Sequence, residues 1–250
     1  MILAVNIGNT NVAFGLFDDN GLTHSFSYPT RTLKEQRSLP SELLELTHID
    51  KIGIASVVPE VTDVLRATVQ RQFPAAMTSV LKNSDVPIIN RYHQPEQAGT
   101  DRLLGSLAAY RIYATDKRPL IIIDLGTATT FDCVTSNGEY LGGSIALGIG
   151  SSAKALASLT AQLPEIKLSF PKHALGRTTL EAIQSGIIFG AIDSAEGMIK
   201  RLTGEVFPNK EPIIIATGGS SELLKNRTSI IHFFDPYLVF KGIVMTMSSL

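Results

Sequence analysis

The run Leu120-Ile121-Ile122-Ile123-Asp124-Leu125-Gly126-Thr127-Ala128-Thr129-Thr130, with Phe131, Asp132 and Cys133 behind it, constrains the fold more than any other stretch. Four consecutive aliphatic residues after Pro119 read as a strand buried on both faces. The strand ends on a carboxylate, turns at Gly126 and re-enters an extended segment rich in Thr and Phe. Such a turn gathers an anionic metal or proton site, a backbone open to close approach by a phosphate, and hydroxyls that donate to phosphate oxygens. The pattern also occurs at the N-terminus, where Leu3-Ala4-Val5-Asn6-Ile7-Gly8-Asn9-Thr10 is followed by a second strand from Val12 to Phe17. From Asn6 to Asp124 the copies are about 118 residues apart in a chain of 250, which points to a duplicated domain. Two such turns facing each other across a cleft would hold a nucleotide.

A chain of this length buries one large core or two of half the size. Its formal net charge of −1 argues against bulk electrostatic binding to nucleic acid or to an anionic membrane. Apolar runs stop short of the roughly 20 residues a membrane helix needs, and the chain opens on a strand rather than a secretory signal. Cys133 is the single cysteine, so no intramolecular disulfide forms, and its place in a strand suits a small buried hydrophobe. The expectation is a cytoplasmic protein.

Along the first half, Asp18-Asp19-Asn20-Gly21 predicts a turn into a strand over Leu22–Tyr28. Residues 30–34 read as loop, Pro40 opens a helical stretch, and 51–56 read as a strand. Val61, Val64, Leu65 and Val69 predict one face of a helix running to about Gln72. Ile88 and Ile89 suit a strand tip. The polar segment Asn90 to Gly99 breaks both periodicities and is where ligand contacts are expected. Leu103, Leu104, Leu107, Ala108 and Ile112 then predict a helix with Asp101 near its N-terminus, either as an N-cap or as a functional carboxylate.

In the second half, Asn137-Gly138 predicts a two-residue turn, with Tyr140–Ile145 pairing back. Gly142, Gly143, Gly148 and Gly150 feed a helix expected over 151–161, an arrangement able to cradle phosphate though it lacks a dinucleotide or P-loop spacing. Residues 163–170 are ambiguous. Thr178 or Thr179 caps a long helix to Leu202 carrying Gly186, Gly190 and Gly197, small enough for another helix to pack closely. Residues 212–217 read as a strand, and Gly218-Gly219-Ser220 as a turn into a helix, where a base could lie flat. A strand over 230–234 and a helix over 237–248 close the chain. Strands followed by helices, twice over, predict an α/β protein of two related halves, 1–115 and 116–250, with the boundary near Ala114 to Arg118.

Taken together, several motifs resemble type III pantothenate kinase. They are Asn6-Ile7-Gly8-Asn9-Thr10, Gly99-Thr100-Asp101-Arg102, Asp124-Leu125-Gly126-Thr127-Ala128-Thr129-Thr130, Gly142-Gly143-Ser144-Ile145, Leu175-Gly176-Arg177-Thr178-Thr179 and Thr217-Gly218-Gly219. The resemblance spans nearly the whole chain in the same order. It implies two ribonuclease-H-like domains of the sugar kinase, actin and heat-shock chaperone superfamily around an ATP cleft. It also implies phosphorylation of pantothenate by ATP, the first step of coenzyme A synthesis. Carried over, Asn6, Ile7, Gly8, Asn9, Thr10, Asn11, Val12 and Ala13 would line the ATP phosphates, with Thr127 also on ATP. Tyr92, Gly99, Thr100, Asp101, Arg102 and Thr179 would hold pantothenate, and Asp101 would accept the proton of its hydroxyl. Asp124 would bind a monovalent cation, K+ or NH4+, with Mg2+ arriving on ATP. The family's homodimer would complete the pantothenate site across its interface. On chemical grounds alone, Arg102 offers a planar fork suited to a carboxylate such as pantothenate's, and a carboxylate beside a primary alcohol can take its proton.

Two positions depart from the family pattern. The first motif of the family begins with Asp, and here Asn6 keeps the shape and an acceptor oxygen but not the charge. A charge about 4 Å from a cation is worth up to ~4 kcal/mol at an effective dielectric of ~20, less where water intervenes. In Ala146-Leu147-Gly148 the family usually has Pro before the Gly, a change that removes no chemical group. Three functions are compatible with these residues: a working pantothenate kinase, a catalytically weakened relative that binds nucleotide or pantothenate as an accessory protein, and a kinase of the same superfamily acting on another alcohol.

Overall fold

The computed structural model describes residues 1–36, 40–114, 116–225 and 227–249. Thr115 and Leu250, the last residues of the two expected halves, lie outside the described residues. The chain divides into two compact units, residues 1–111 with 238–250, and residues 112–237.

The first unit is built on β1 (Ile2–Ile7), β2 (Asn11–Asp18), β3 (Gly21–Pro29), β4 (Lys51–Ser56) and β5 (Met77–Val80), in the order β3-β2-β1-β4-β5. The β1/β2 and β2/β3 pairs are antiparallel, and β1/β4 and β4/β5 are parallel. Leu3, Ala4, Val5 and Ile7 of β1 are fully buried, as a central strand covered on both faces requires. Helices α1 (Thr30–Gln36), α2 (Ser41–Leu44) and α3 (Pro59–Gln72) follow in sequence. In α3, Pro59 sits in the first turn, Val61, Leu65 and Val69 are buried, and the helix ends on Phe73. A two-residue strand β6 (Ile89–Asn90) precedes α4 (Thr100–Tyr113).

Two elements differ from the sequence expectation here. Residues 30–34, read as loop, lie in α1. The Thr30 N–H donates to Thr10 O at 3.0 Å and its hydroxyl to Gly8 O at 2.7 Å, while Leu33 is buried in the core. One buried leucine and two tertiary hydrogen bonds hold a helix too short to show a period. Strand β5 has no apolar alternation to announce it, and it exists through parallel pairing of Lys51–Ile54 with Met77–Val80.

The second unit contains β7 (Leu120–Leu125), β8 (Ala128–Val134), β9 (Glu139–Leu147), α5 (Ile149–Leu159), α6 (Thr179–Val206), β10 (Ile213–Thr217) and β11 (Phe233–Phe234). Its strands lie in the order β11-β10-β7-β8-β9. The β7/β8 and β8/β9 pairs are antiparallel, and β7/β10 and β10/β11 parallel. Order and sense therefore repeat those of the first unit strand for strand, with β7 in the place of β1 and Asp124 in that of Asn6. Ile121, Ile123, Leu125, Phe131 and Cys133 point to the core shared with Ile188, Ile192 and Ile199 of α6. Cys133 is buried and reduced. Gly218-Gly219-Ser220 leads into a single 3-10 turn over Ser221–Leu223 rather than a helix, the expected 230–234 strand shortens to Phe233–Phe234, and residues 163–170 form neither helix nor strand.

The closing helix α7 (Leu238–Ser249) belongs with the first unit, whereas the sequence groups it with the second half. Its seat is cut by glycines. A Cβ on Gly15 would lie 2.7 Å from the Phe240 ring, one on Gly53 2.5 Å from Ile243, and one on Gly242 2.1 Å from Leu104 O. The Lys51 ammonium also donates to Met247 O at 2.6 Å. Such close approach depends on side chains distant in sequence, so no local pattern carries it. Among the described residues no helix is long and apolar enough to cross a membrane.

Candidate active site

Each unit presents a strand–turn–strand at the carboxyl end of its central strand. In the first, Asn6 and Ile7 lie on β1 opposite Ala13 and Val12 of β2. The Gly8 N–H donates to Asn11 O at 3.0 Å and closes the turn. A Cβ on Gly8 would lie 3.2 Å from that oxygen. Asn9, Thr10 and Asn11 stand exposed at the tip, Asn6 and Ala13 are half-buried, and Ile7 and Val12 anchor the turn in the core. Through the Thr30 bonds to Gly8 O and Thr10 O, α1 braces the turn from outside.

The second turn is one residue shorter and is likewise closed by its glycine, the Gly126 N–H donating to Ala128 O at 3.0 Å. Thr127 is exposed at its tip, and its carbonyl accepts from the Gly148 N–H at 3.0 Å and the Ser151 hydroxyl at 2.7 Å. A Cβ on Gly148 would fall 2.2 Å from Gly126 O and 2.5 Å from Thr127 O. The start of α5 is thus pressed against the turn, and Gly148 permits the contact. Asp124, half-buried, lies opposite Thr130 of β8 and Thr217 of β10. A side chain on Gly218 (φ +87°) would come within 2.3 Å of Asp124 Oδ1, and one on Gly126 would lie 3.6 Å from it. Glycine at Gly218 keeps a side chain from crowding that oxygen.

Among the described residues no three His, Cys, Asp or Glu side chains stand together, so an all-protein transition-metal cage is absent from them. One carboxylate with hydroxyl and carbonyl oxygens around it suits a hard cation, which takes oxygen ligands and shares them with water and phosphate.

The remaining candidates of the first unit lie in and after the 90–99 loop. Asn83 holds this loop from inside: its amide donates to Pro95 O (3.1 Å), Glu96 O (3.2 Å) and Ala98 O (2.6 Å), and its Oδ1 accepts from the Thr100 hydroxyl at 2.6 Å. Asn90 does the same at the other end, donating to Pro95 O at 3.0 Å and accepting from the Tyr92 N–H at 3.0 Å. Tyr92 and Thr100–Arg102 are therefore tied to one scaffold. Asn83 is not among the residues expected from the motifs. Its sole signal is the polar cluster Lys82-Asn83-Ser84-Asp85, which reads as an ordinary turn and is one, with the Lys82 N–H donating to Asp85 at 2.8 Å.

Asp101 lies in the first turn of α4, and its Oδ1 accepts from the Arg102 N–H at 2.9 Å. A side chain on Gly99 would lie 2.5 Å from that oxygen, so glycine makes the room. Desolvation pushes the Asp101 carboxyl above the ordinary carboxylate value; the Arg102 N–H and guanidinium charge act in the opposite direction without overcoming it. Thr179 belongs to the second unit. It stands exposed at the first residue of α6, beside the Thr178 cap, which accepts from the Glu181 N–H at 3.2 Å. A cavity of about 730 Å³ opens between α6 and the beginning of β10, lined by Arg118, Lys200, Glu211 and His232 among others. None of the candidate residues lines it.

The sequence profile of type III pantothenate kinase matches residues 2–201. The chain belongs to the type III pantothenate kinases. The type III pantothenate kinase 1 of Symbiobacterium thermophilum is 36% identical over 97% of this chain and 94% of its own. The type III pantothenate kinase of Persephonella marina is 39% identical over 97% of this chain and 96% of its own. A solved structure from Sinorhizobium meliloti, described as a 2-dehydro-3-deoxygalactonokinase, superposes with a TM-score of 0.57 at 12% identity, covering 100% of this chain and 99% of that one. At that identity it speaks for the fold alone. With the repeated strand order, it gives the two units the fold of that kinase. As a pantothenate kinase the chain is a phosphotransferase acting on pantothenate in coenzyme A biosynthesis. Membership of a kinase family carries with it the use of ATP and a divalent metal.

Proposed function

We propose that this pantothenate kinase transfers the γ-phosphoryl group of ATP to the primary hydroxyl of pantothenate, with Asp101 as the proton acceptor. The alcohol oxygen attacks the γ-phosphorus, the bond to the β,γ-bridging oxygen breaks, and ADP leaves with 4'-phosphopantothenate as the other product. The hydroxyl proton passes to Asp101. The observation that carries this reading is the Gly99–Arg102 turn: a carboxyl driven toward proton affinity by burial, next in sequence to a guanidinium, on a helix start braced by Asn83. Phosphoryl transfer needs little covalent help, so positioning and charge neutralisation supply most of its rate. A base whose affinity for protons is raised is better matched to a neutral working pH.

In the same reading Tyr92, Gly99, Thr100, Arg102 and Thr179 hold pantothenate, Arg102 pairing with its carboxylate. Asn6 to Ala13 and Thr127 hold the ATP phosphates, for which exposed turn N–H groups and hydroxyls are suited. Mg2+ bound with ATP neutralises phosphate charge, and K+ or NH4+ is held at Asp124, a strand-end carboxylate between Thr130 and Thr217, which supports that role. A homodimer is supported by α6, where Gly186, Gly190, Gly197 and Gly204 have nothing within 4 Å of a built Cβ. The single buried cysteine is in keeping with the cytoplasm. The test is ADP release from the purified protein with ATP, Mg2+ and pantothenate, with K+ or Li+ at constant ionic strength, alongside light scattering for the dimer. Pantothenate-dependent turnover raised by K+ is expected. No turnover at saturating substrates refutes the proposal.

A further inference from the structure

Resting on the reading of Asp124 as a cation ligand, we propose that Asp132 is a positioning residue for that site. It accepts the hydrogen bond of the Thr130 hydroxyl and so turns the lone pairs of the Thr130 oxygen toward the site across the strand pair from Asp124.

Asp132 is 2% exposed, in the middle of β8. Burying a carboxylate is unfavourable unless hydrogen bonds replace its water. Here the Tyr140 hydroxyl donates to Oδ1 at 2.9 Å and the Thr130 hydroxyl to Oδ2 at 3.1 Å. A bulge between Cys133 and Val134 shifts the register so that Tyr140 pairs with Val134. Side chains of a strand alternate between faces, so Thr130 and Asp132 share the face opposite Phe131 and Cys133, whose side chains enter the core. On that face Thr130 is directly across from Asp124, and Asp132 across from Ile122. Directly opposed side chains have Cβ atoms roughly 5 Å apart.

A hydroxyl has one proton and two lone pairs. With its proton committed to Asp132, Thr130 offers only lone pairs to its other neighbours. Asp124 and Thr130 then form an anionic and a neutral oxygen side by side, the pair a hard cation takes. The architecture itself needs neither residue. In the first unit, where the strands have the same order and sense, the position across from Asn6 is Ala13, and the next on that face is Gly15. The hydroxyl and the buried carboxylate therefore occur in the copy whose central strand ends on Asp124 and not in the copy whose central strand ends on Asn6.

The decisive variant is Asp132→Asn. An asparagine can accept from Tyr140 and donate its amide to Thr130, reversing the Thr130 proton so that it faces the site. The readout is the rise in thermal midpoint on titrating KCl against LiCl at constant ionic strength, since a ligand of the folded state stabilises by mass action. Half-saturation for K+ is expected to rise roughly 10- to 100-fold, as for other outer partners of metal ligands. Thr130→Val is expected to match it, Thr130→Ser to stay near wild type, and the double variant to be no worse than either single one. If Asp132→Asn does not fold, Thr130→Val against Thr130→Ser decides. A midpoint lowered equally with and without K+, with half-saturation unchanged, makes Asp132 purely structural and overturns the proposal alone. A wild-type protein without a K+-specific response overturns both this proposal and the cation role of Asp124.

Discussion

Gly148→Ala tests how the Asp124–Thr127 turn of the second unit, proposed to contact ATP, is held. The backbone at Gly148 (φ −71°, ψ 159°) is ordinary for any residue, so space alone decides the outcome. The new methyl would lie 2.2 Å from Gly126 O and 2.5 Å from Thr127 O, against roughly 3.5 Å for an optimal contact. Either the turn or the start of α5 must retreat by roughly 1 Å, because both obstacles are backbone. Overpacking of this kind costs about 1–3 kcal/mol, and each kcal/mol lowers the thermal midpoint by roughly 2–4 °C in a chain of this size. A shift of that length in a group that positions substrate costs up to about 100-fold in rate, or ~2.7 kcal/mol of barrier. Steady-state kinetics with ATP and pantothenate varied separately should put the loss in kcat/KM for ATP. The control is Gly150→Ala two residues on, where a built Cβ meets nothing within 4 Å; removing a helix glycine there should be neutral or stabilise by about 0.5–1 kcal/mol. A Gly148→Ala enzyme with unchanged kcat/KM for ATP, or a Gly150→Ala enzyme equally damaged, would refute this account of the turn.

Asp101→Asn should lower turnover by about 10²–10⁴-fold, the usual contribution of a positioned base, yet raise stability at neutral pH. The folded carboxyl holds its proton more tightly than the unfolded one, so the wild type loses stability as pH rises from 3.8 through the raised folded value. The variant's advantage in thermal midpoint should therefore shrink on acidification below that window; an advantage independent of pH would contradict it. Asn83→Ala removes all four hydrogen bonds that brace the 95–100 loop. At about 1–2 kcal/mol net it should raise KM for pantothenate roughly 5- to 30-fold and leave KM for ATP unchanged. Asn6→Asp should change turnover by less than about tenfold if Mg2+ is held through water; a gain of a hundredfold or more would identify a missing charge as the limit. His232 Nδ1 accepts from the Ile214 N–H at 3.0 Å, and desolvation with the Arg118 charge holds its pKa below 6.5. Its contribution should be present above 6.5 and lost as pH falls through the depressed value, a dependence that His232→Phe should remove from the midpoint profile.

Local chemistry was sufficient wherever neighbours in sequence are also neighbours in space. The Asp124–Gly126–Thr130 and Asn6–Gly8–Thr10 turns, α3 with its Val61–Leu65–Val69 face and the Asn137-Gly138 hairpin are all legible from residue order. Helix α1 and strand β5 were not. Each draws its stability from partners far along the chain, Gly8 and Thr10 in one case and β4 in the other. The same holds for Asn83, an unremarkable turn residue until its amide meets three carbonyls of the next loop.

From residue order alone, this protein is a duplicated α/β chain with a polar residue and a glycine turn at the end of each central strand, and its motifs are those of a pantothenate kinase. Periodicity, turn propensity and motif spacing act over a few residues, so they survive in a one-dimensional record. The tertiary structure decided that the last helix seats on the first unit, that Gly148 lets α5 press onto the second turn, and that a hydroxyl bonded to a buried carboxylate lies across from the strand-end residue in one copy but not in the other. Those are matters of which atoms approach across tens to hundreds of residues, where packing and hydrogen-bond satisfaction act only once the chain has folded.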